Sequence, residues 1–175
     1  MKEKKVFRKR RTSEDRFYVN NKQFYEAMVE YDRLRKEAEN SGEEPPKVSN
    51  YIGECIYKIA HRLSMKHNFI NYTFRDELVG DGIENAMMGI NNFNPEKYDN
   101  PFAYFTMIIH NAFIRRIQKE KKLLYTKYKV MENTTLVGGT VEKKVDDQGE
   151  SIYSDMDTEY MSDFVSQYEK SLKEK

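Results

Sequence analysis

The run Asp76–Lys122, DELVGDGIENAMMGINNFNPEKYDNPFAYFTMIIHNAFIRRIQKEKK, decides the fold. Its first part puts Val79, Ile83, Ala86, Met87 and Ile90 on one face of a helix and Glu77, Asp81 and Glu84 on the other. Phe93 closes that helix, and Pro95 and Pro101 punctuate a polar turn. Pro101 suits a first helical position, where a missing N–H leaves no intrahelical bond unmade. A further helix then runs from Pro101 to about Tyr128, aromatic at its start and basic from Arg115 onward.

Upstream, Val19-Asn20-Asn21 can cap a helix reaching about Ala38, with Phe24, Ala27, Met28, Tyr31 and Leu34 at helical spacing. Asn40-Ser41-Gly42 and Pro45-Pro46 end it. Ser49 or Asn50 caps the next helix, whose stripe of Ile52, Ile56, Ile59, Ala60 and Leu63 extends to about His67. Thr73-Phe74-Arg75-Asp76 offers a capping-box start for the acidic helix. No alternating run argues for a sheet, so the fold class is all-α. The division is a basic flexible arm at 1–16, a helical domain at 17–128, a flexible acidic linker at 129–157 and an amphipathic peptide at 158–175. Within the linker, Gly138-Gly139 can also turn a small hairpin. In the C-terminal peptide Met161, Phe164, Val165, Tyr168 and Leu172 share one stripe, suited to a partner's groove or to the chain's own domain.

The 175 residues leave room for one compact domain with tails, and the formal charge of +1 hides local asymmetry. Met1–Arg16 holds eight Lys/Arg against three Asp/Glu, and Arg115–Lys129 seven against one. Glu142–Asp163 reverses this, with two against eight, so different segments are expected to meet different partners. Cys55 is the only cysteine, which excludes an intrachain disulfide and a Cys-rich zinc site. No secretory signal of the usual form and no run of about 20 apolar residues is present, so a soluble intracellular protein without membrane contact is expected.

Enzymatic chemistry finds no support. Asp76, Glu77, Asp81 and Glu84 form a tight carboxylate cluster of the kind that can hold Mg²⁺ for nucleic-acid cleavage. Three of them share one helix face without a Lys or His beside them, as a solvated face does. The histidines at 61, 67 and 110 lack ligand spacing, and no phosphate loop is visible. No catalytic residue, metal or cofactor is therefore assigned. The Pro101 helix is different. Phe102, Phe105, Ile109 and Phe113 can point inward while Tyr104, Met107, Ile108, Asn111 and Arg115 form an adjacent face. Aromatic rings stack on bases, Lys and Arg hold phosphates, and Asn can bind adenine through two hydrogen bonds.

ELVGDG at 77–82, MMGINNF at 87–93 and NPFAYFTMIIHNAFIRRI at 100–117 together resemble the polymerase-binding and promoter-reading helices of the sigma-70 family, region 2. Within that family YVNNKQFYEAM, RLSMKHNFINYT and DGIENAMMGINNFNPEKYDNPFAYFT look like the late-transcription sigma factors of T-even-type bacteriophages, over residues 18–128. SDFVSQYE near the C-terminus is similar to the peptide by which such factors grip the phage sliding clamp.

The resemblance implies that Glu77, Gly80, Asp81 and Glu84 meet the β′ coiled-coil clamp helices of the bacterial RNA polymerase core. It places Phe93, Lys97 and Tyr104 around a pocket for a base flipped from the −10 element. Asn111 and Arg115 fall on the segment that reads upstream −10 base pairs, and Arg116, Lys119 and Lys122 along the DNA backbone. Met107 and Ile108 stand where housekeeping sigma factors carry a tryptophan pair, which leaves an apolar wedge with weaker stacking. Met161, Phe164, Val165 and Tyr168 would hold the clamp, with a phage coactivator as a further partner. The implied function is late-gene promoter recognition in the cytoplasm of the infected host, by a chain that is a monomer when free. The alternative is an adaptor that links polymerase core to the clamp without reading DNA.

Overall fold

A computed structural model describes residues 19–136 and 155–174. The basic arm at 1–16, most of the expected linker and the Gly138-Gly139 turn lie outside the described residues. Those described form five α-helices and no strand: α1 (Asn21–Ser41), α2 (Asn50–Ser64), α3 (Arg75–Met88), α4 (Pro101–Leu136) and α5 (Asp155–Lys173), with a 3-10 turn at Ile90–Asn92. The all-α expectation holds among them.

Local chemistry sets the ends of α1 and α2. The Asn20 side chain accepts from the N–H groups of Lys22 and Gln23 at 3.1 and 3.3 Å, a cap worth about 1 kcal/mol. Gly42 adopts φ 71°, which lets the Glu43 N–H reach the Ala38 carbonyl at 2.9 Å and ends α1 three residues later than Ala38. Ser49 accepts from the Ile52 N–H at 3.4 Å and starts α2. That helix stops at Ser64 rather than near His67, because Lys66–Tyr72 form successive turns whose Phe69 N–H and Ile70 N–H return to the Lys66 carbonyl. The capping box expected at Thr73 is not formed. α3 begins at Arg75 behind Phe74 with no side-chain cap, and Asp76 and Glu77 in its first turn suit the positive end of the helix dipole.

The chain divides into two units, residues 1–114 and 115–175. In the first, Phe24, Met28 and Tyr31 of α1 and Ile52, Cys55, Ile56, Ile59, Ala60 and Leu63 of α2 are buried. Leu34 stays 38% exposed, so the α1 stripe ends one turn sooner than its periodicity suggests. α3 differs more: the buried positions are Leu78, Gly82 and Ala86, while Val79 and Ile83 are half-buried and Met87 is exposed. The inward face is thus turned from the one the apolar residues mark. Gly82 explains this, because a β-carbon there would stand 2.7 Å from Phe113 Cε1 and 2.9 Å from Ile109 Cγ2. α3 meets α4 at a residue with no side chain of its own.

From α4 this unit buries Pro101, Phe105, Ile109, Ala112 and Phe113, with Phe102 only half-buried. Phe105 stacks on Phe24 at 5.6 Å, and Phe113 receives the edge of Phe69 at 5.2 Å. Each fully buried phenylalanine contributes about 2–3 kcal/mol by leaving water, so these rings hold α1, the turn after α2 and α4 together. Asp32 is a buried polar group on α1, satisfied by Arg35 and Lys36, each at 2.8 Å.

The second unit contains the distal part of α4 and α5. α4 continues to Leu136, eight residues past Tyr128, so the stretch expected to open the linker is helical. α5 likewise begins at Asp155, within the stretch expected to close it. Tyr125 stacks on Tyr168 with centroids 4.7 Å apart, and Tyr128 packs edge-on against Phe164 at 5.6 Å. Val165 is buried. The stripe of α5 therefore rests on the chain's own helix.

Candidate nucleic-acid and polymerase interface

Two neighbouring surfaces of the first unit gather the residues that the sequence singles out. On α3, Glu77, Gly80 and Glu84 are exposed and Asp81 is half-buried. The Asn85 side chain donates to the Asp81 main-chain carbonyl at 2.7 Å, within the helix. Gly80 has open space where a β-carbon would project, unlike Gly82 two positions on. A glycine inside a helix costs about 1 kcal/mol relative to alanine, and at Gly80 no packing among the described residues offsets it.

The second surface is built on the start of α4 and the turn before it. Tyr104 is half-buried, and its hydroxyl donates to the Gly89 carbonyl at 3.4 Å. Burial, with a smaller contribution from Tyr98, pushes its phenol above the ordinary value, so it remains a neutral donor. Met107 is 65% exposed, Ile108 half-buried and Asn111 exposed, which continues one face of α4. Ile108 also packs beneath the end of α3: a β-carbon on Gly89 would meet its Cδ1 at 3.0 Å. The apolar wedge thus consists of a projecting Met107 and an anchored Ile108.

Phe93 occupies a different place from the one expected of a base-contacting ring. It is only 2% exposed and lies against Tyr104 at 5.2 Å and Phe105 at 6.2 Å. Its position is the floor under Tyr104 rather than a surface for ligand. Lys97 is exposed, with Nζ 5.4 Å from the centroid of the Tyr98 ring.

Within the second unit, Arg115, Lys119 and Lys122 are exposed. Arg116 is half-buried and its Nε lies 2.8 Å from Glu120 Oε1, so its charge is partly spent within the helix. On α5, Val165 is buried, and Met161, Phe164 and Tyr168 are half-buried. Glu169 Oε1 accepts from the Tyr125 hydroxyl at 3.1 Å and pairs with Lys129 Nζ at 3.1 Å. Those two partners, Lys129 foremost, hold its carboxyl below the usual carboxylate range.

Sequence reasoning left out three residues that shape these surfaces: Gly82, Phe69 and Tyr98. The two aromatics lie in turns, where helical periodicity carries no signal. No three His, Cys, Asp or Glu side chains converge as a metal site among the described residues, the acidic residues of α3 included. No helix of the described residues is long and apolar enough to cross a membrane.

An all-helical module with an acidic helix followed by an aromatic, then basic, helix is the class these features define. The family model of Sigma-70 region 2 matches residues 54–123, from within α2 to within the distal part of α4. Over that segment the chain is similar to sigma-70 region 2, a non-enzymatic domain that serves transcription initiation. The match covers both surfaces described above and leaves out α1 and α5. No curated protein matches the chain at a significant level.

Proposed function

We propose that this chain is a bacteriophage late-gene sigma factor, which binds the RNA polymerase core of its bacterial host and directs it to a TATA-like −10 element. The observation that carries this reading is the face of α4 formed by the half-buried Tyr104 and the exposed Met107 and Asn111, held in place by the buried Phe93, Phe105 and Ile109 inside the matched segment. Rings and an apolar wedge that stand on a rigid helix can hold separated bases without first paying to order themselves. Glu77, Gly80, Asp81 and Glu84 would face basic side chains of the β′ clamp helices, and Gly80 would admit close approach of that partner. Lys97 and Asn111 would contact DNA beside Tyr104, while in the second unit Arg115 would contact DNA and Lys119, Lys122 and, less strongly, Arg116 would follow its phosphates.

In this account α5 tethers the complex to the phage sliding clamp through Met161, Phe164, Val165 and Tyr168, with a coactivator joining the assembly in the host cytoplasm. A tether raises effective concentration at the promoter and offsets the weaker stacking of Met107 and Ile108. Since Tyr125 and Tyr128 already cover the same stripe, clamp binding requires α5 to leave α4 first. The test is transcription reconstituted with bacterial core polymerase on a late-type promoter, with and without the clamp. A clamp-stimulated specific start site is expected; core binding without a specific start identifies an adaptor instead.

A further inference from the structure

Rings and a carboxylate, more than a core, hold α5 on the distal part of α4. Among the described residues of α5 only Val165 is buried, while Met161, Phe164 and Tyr168 are half-buried. The rings of Phe164 and Tyr168 lie 14° from parallel with centroids 6.3 Å apart. Tyr168 stacks on Tyr125 at 4.7 Å and 27°, and Phe164 meets Tyr128 edge-on at 5.6 Å. Beside them, Glu169 Oε1 accepts from the Tyr125 hydroxyl at 3.1 Å and pairs with Lys129 Nζ at 3.1 Å. Two near-parallel rings next to an anionic oxygen are also what a single strand of nucleic acid presents, with bases for the rings and a phosphate for the carboxylate.

The α4 side of this contact has the matching chemistry. Lys121, Tyr125 and Lys129 follow one another at intervals of four residues, and Tyr128 lies three residues from Tyr125, so the four share one side of the helix. Lys121, Lys122 and Lys127 are exposed around the two tyrosines. Arg115–Lys129 holds seven Lys/Arg against one Glu. A seat meant only for an apolar helix would need neither this charge nor a tyrosine hydroxyl. Rings framed by lysines suit bases and phosphates.

We infer that the face of α4 formed by Lys121, Tyr125, Tyr128 and Lys129 binds single-stranded DNA, and that α5 covers this face as an internal stand-in for the strand. The surface and its cover stand on the two helices alone; only the choice of DNA over RNA rests on the promoter reading proposed above. The free chain holds the surface closed, and a partner that takes the stripe of α5 uncovers it. While α5 is docked, the apparent affinity for a strand is reduced to the fraction of chains in which it is off.

The test uses the full chain without polymerase and a short fluorescent oligothymidine at low salt. Phe164→Ala, alone or with Tyr168→Ala, leaves the net charge and α4 unchanged but removes rings from the cover, and amide exchange across 160–173 reports the release of α5. Release should tighten oligothymidine binding by about tenfold over wild type as the open fraction rises. The binding so gained should weaken as salt is raised. Adding Tyr125→Leu and Tyr128→Leu should take the gain away, since the lysines remain but the stacking rings are gone. Unchanged binding by a chain whose α5 amides exchange freely overturns the inference, as does a gain that survives the loss of both tyrosines. A preference for oligouridine overturns the assignment to DNA. Loss of specific transcription with the oligothymidine gain intact would count against the promoter reading alone.

Discussion

Gly82 lies so close to Phe113 that a β-carbon on it would stand 2.7 Å from the ring. The neighbouring Gly80, on the same helix, has nothing within 4 Å of the equivalent point. These two glycines therefore predict opposite outcomes. Gly82→Ala gains about 1 kcal/mol of helix propensity but forces apart a packed ring at a cost of about 1–3 kcal/mol. It should be neutral to destabilising by up to about 2 kcal/mol, and thermal unfolding read by far-UV circular dichroism checks it. Gly80→Ala should stabilise the free chain by about 0.5–1 kcal/mol. If the β′ helices approach here, the same variant binds core polymerase more weakly, which a pull-down titration measures.

Tyr104 bridges a buried floor and an exposed face, so its removal separates two activities. Tyr104→Ala should cut promoter opening, followed by permanganate reactivity of thymines, by about tenfold or more while leaving core binding intact. Tyr104→Phe keeps the ring and should lose only what the Gly89 hydrogen bond contributes, about 1 kcal/mol. Equal loss of core binding and opening in Tyr104→Ala would indicate misfolding instead.

Glu169 is a polar link between α5 and α4, through Tyr125 and Lys129. Glu169→Gln removes the charge and leaves the aromatic stripe intact, so amide exchange across 160–173 should quicken while clamp binding is retained or enhanced. Phe164→Ala removes a ring from the stripe itself, and should loosen α5 and also abolish clamp-dependent activation, sparing basal transcription from premelted template. The Glu169 carboxyl is held below its usual range by Lys129 and Tyr125. A lowered folded value means that this contact stabilises fully above the unfolded value and fades as pH falls through the folded one. Protection of the α5 amides, measured against their intrinsic exchange rate at each pH, should accordingly fall only in the acid range, below the ordinary carboxylate value.

Cys55 is 3% exposed, and burial is the main cause that pushes its thiol above the ordinary range. A protonated, enclosed thiol is a poor nucleophile. Alkylation of the native chain at neutral pH should be slower by orders of magnitude than in denaturant, measured with a chromogenic disulfide reagent. Fast native labelling would show that the α2 core opens readily.

Much of the first unit is legible in the sequence where side chains carry the signal. Asn20 and Ser49 cap as their chemistry suggests, and the isoleucine stripe of α2 is the buried one. The α3 face is not legible in the same way. Periodicity weights Val79 and Ile83, whereas close packing is set by Gly82, a residue without hydrophobic signal. The end of α4 also escapes. The helical pattern fades after Tyr128, yet extending an existing helix is far easier than starting one, and neither Pro nor Gly intervenes before Leu136. For α5 the amphipathic stripe is plain in the sequence, but what it rests on is a tertiary fact. Tyr125 and Tyr128 sit in a segment that reads as basic helix, and only the fold brings them to Tyr168 and Phe164.

The central claim is that this chain gives a polymerase its promoter. Its most direct test is transcription by bacterial core polymerase and the full chain on supercoiled DNA carrying a TATA-like −10 element, with the start site mapped by primer extension. The account predicts a single start site at a fixed distance downstream of that element, lost when Tyr104 or the element is changed. Core binding with no specific start, or tight specific binding of the duplex by the chain alone, would contradict it.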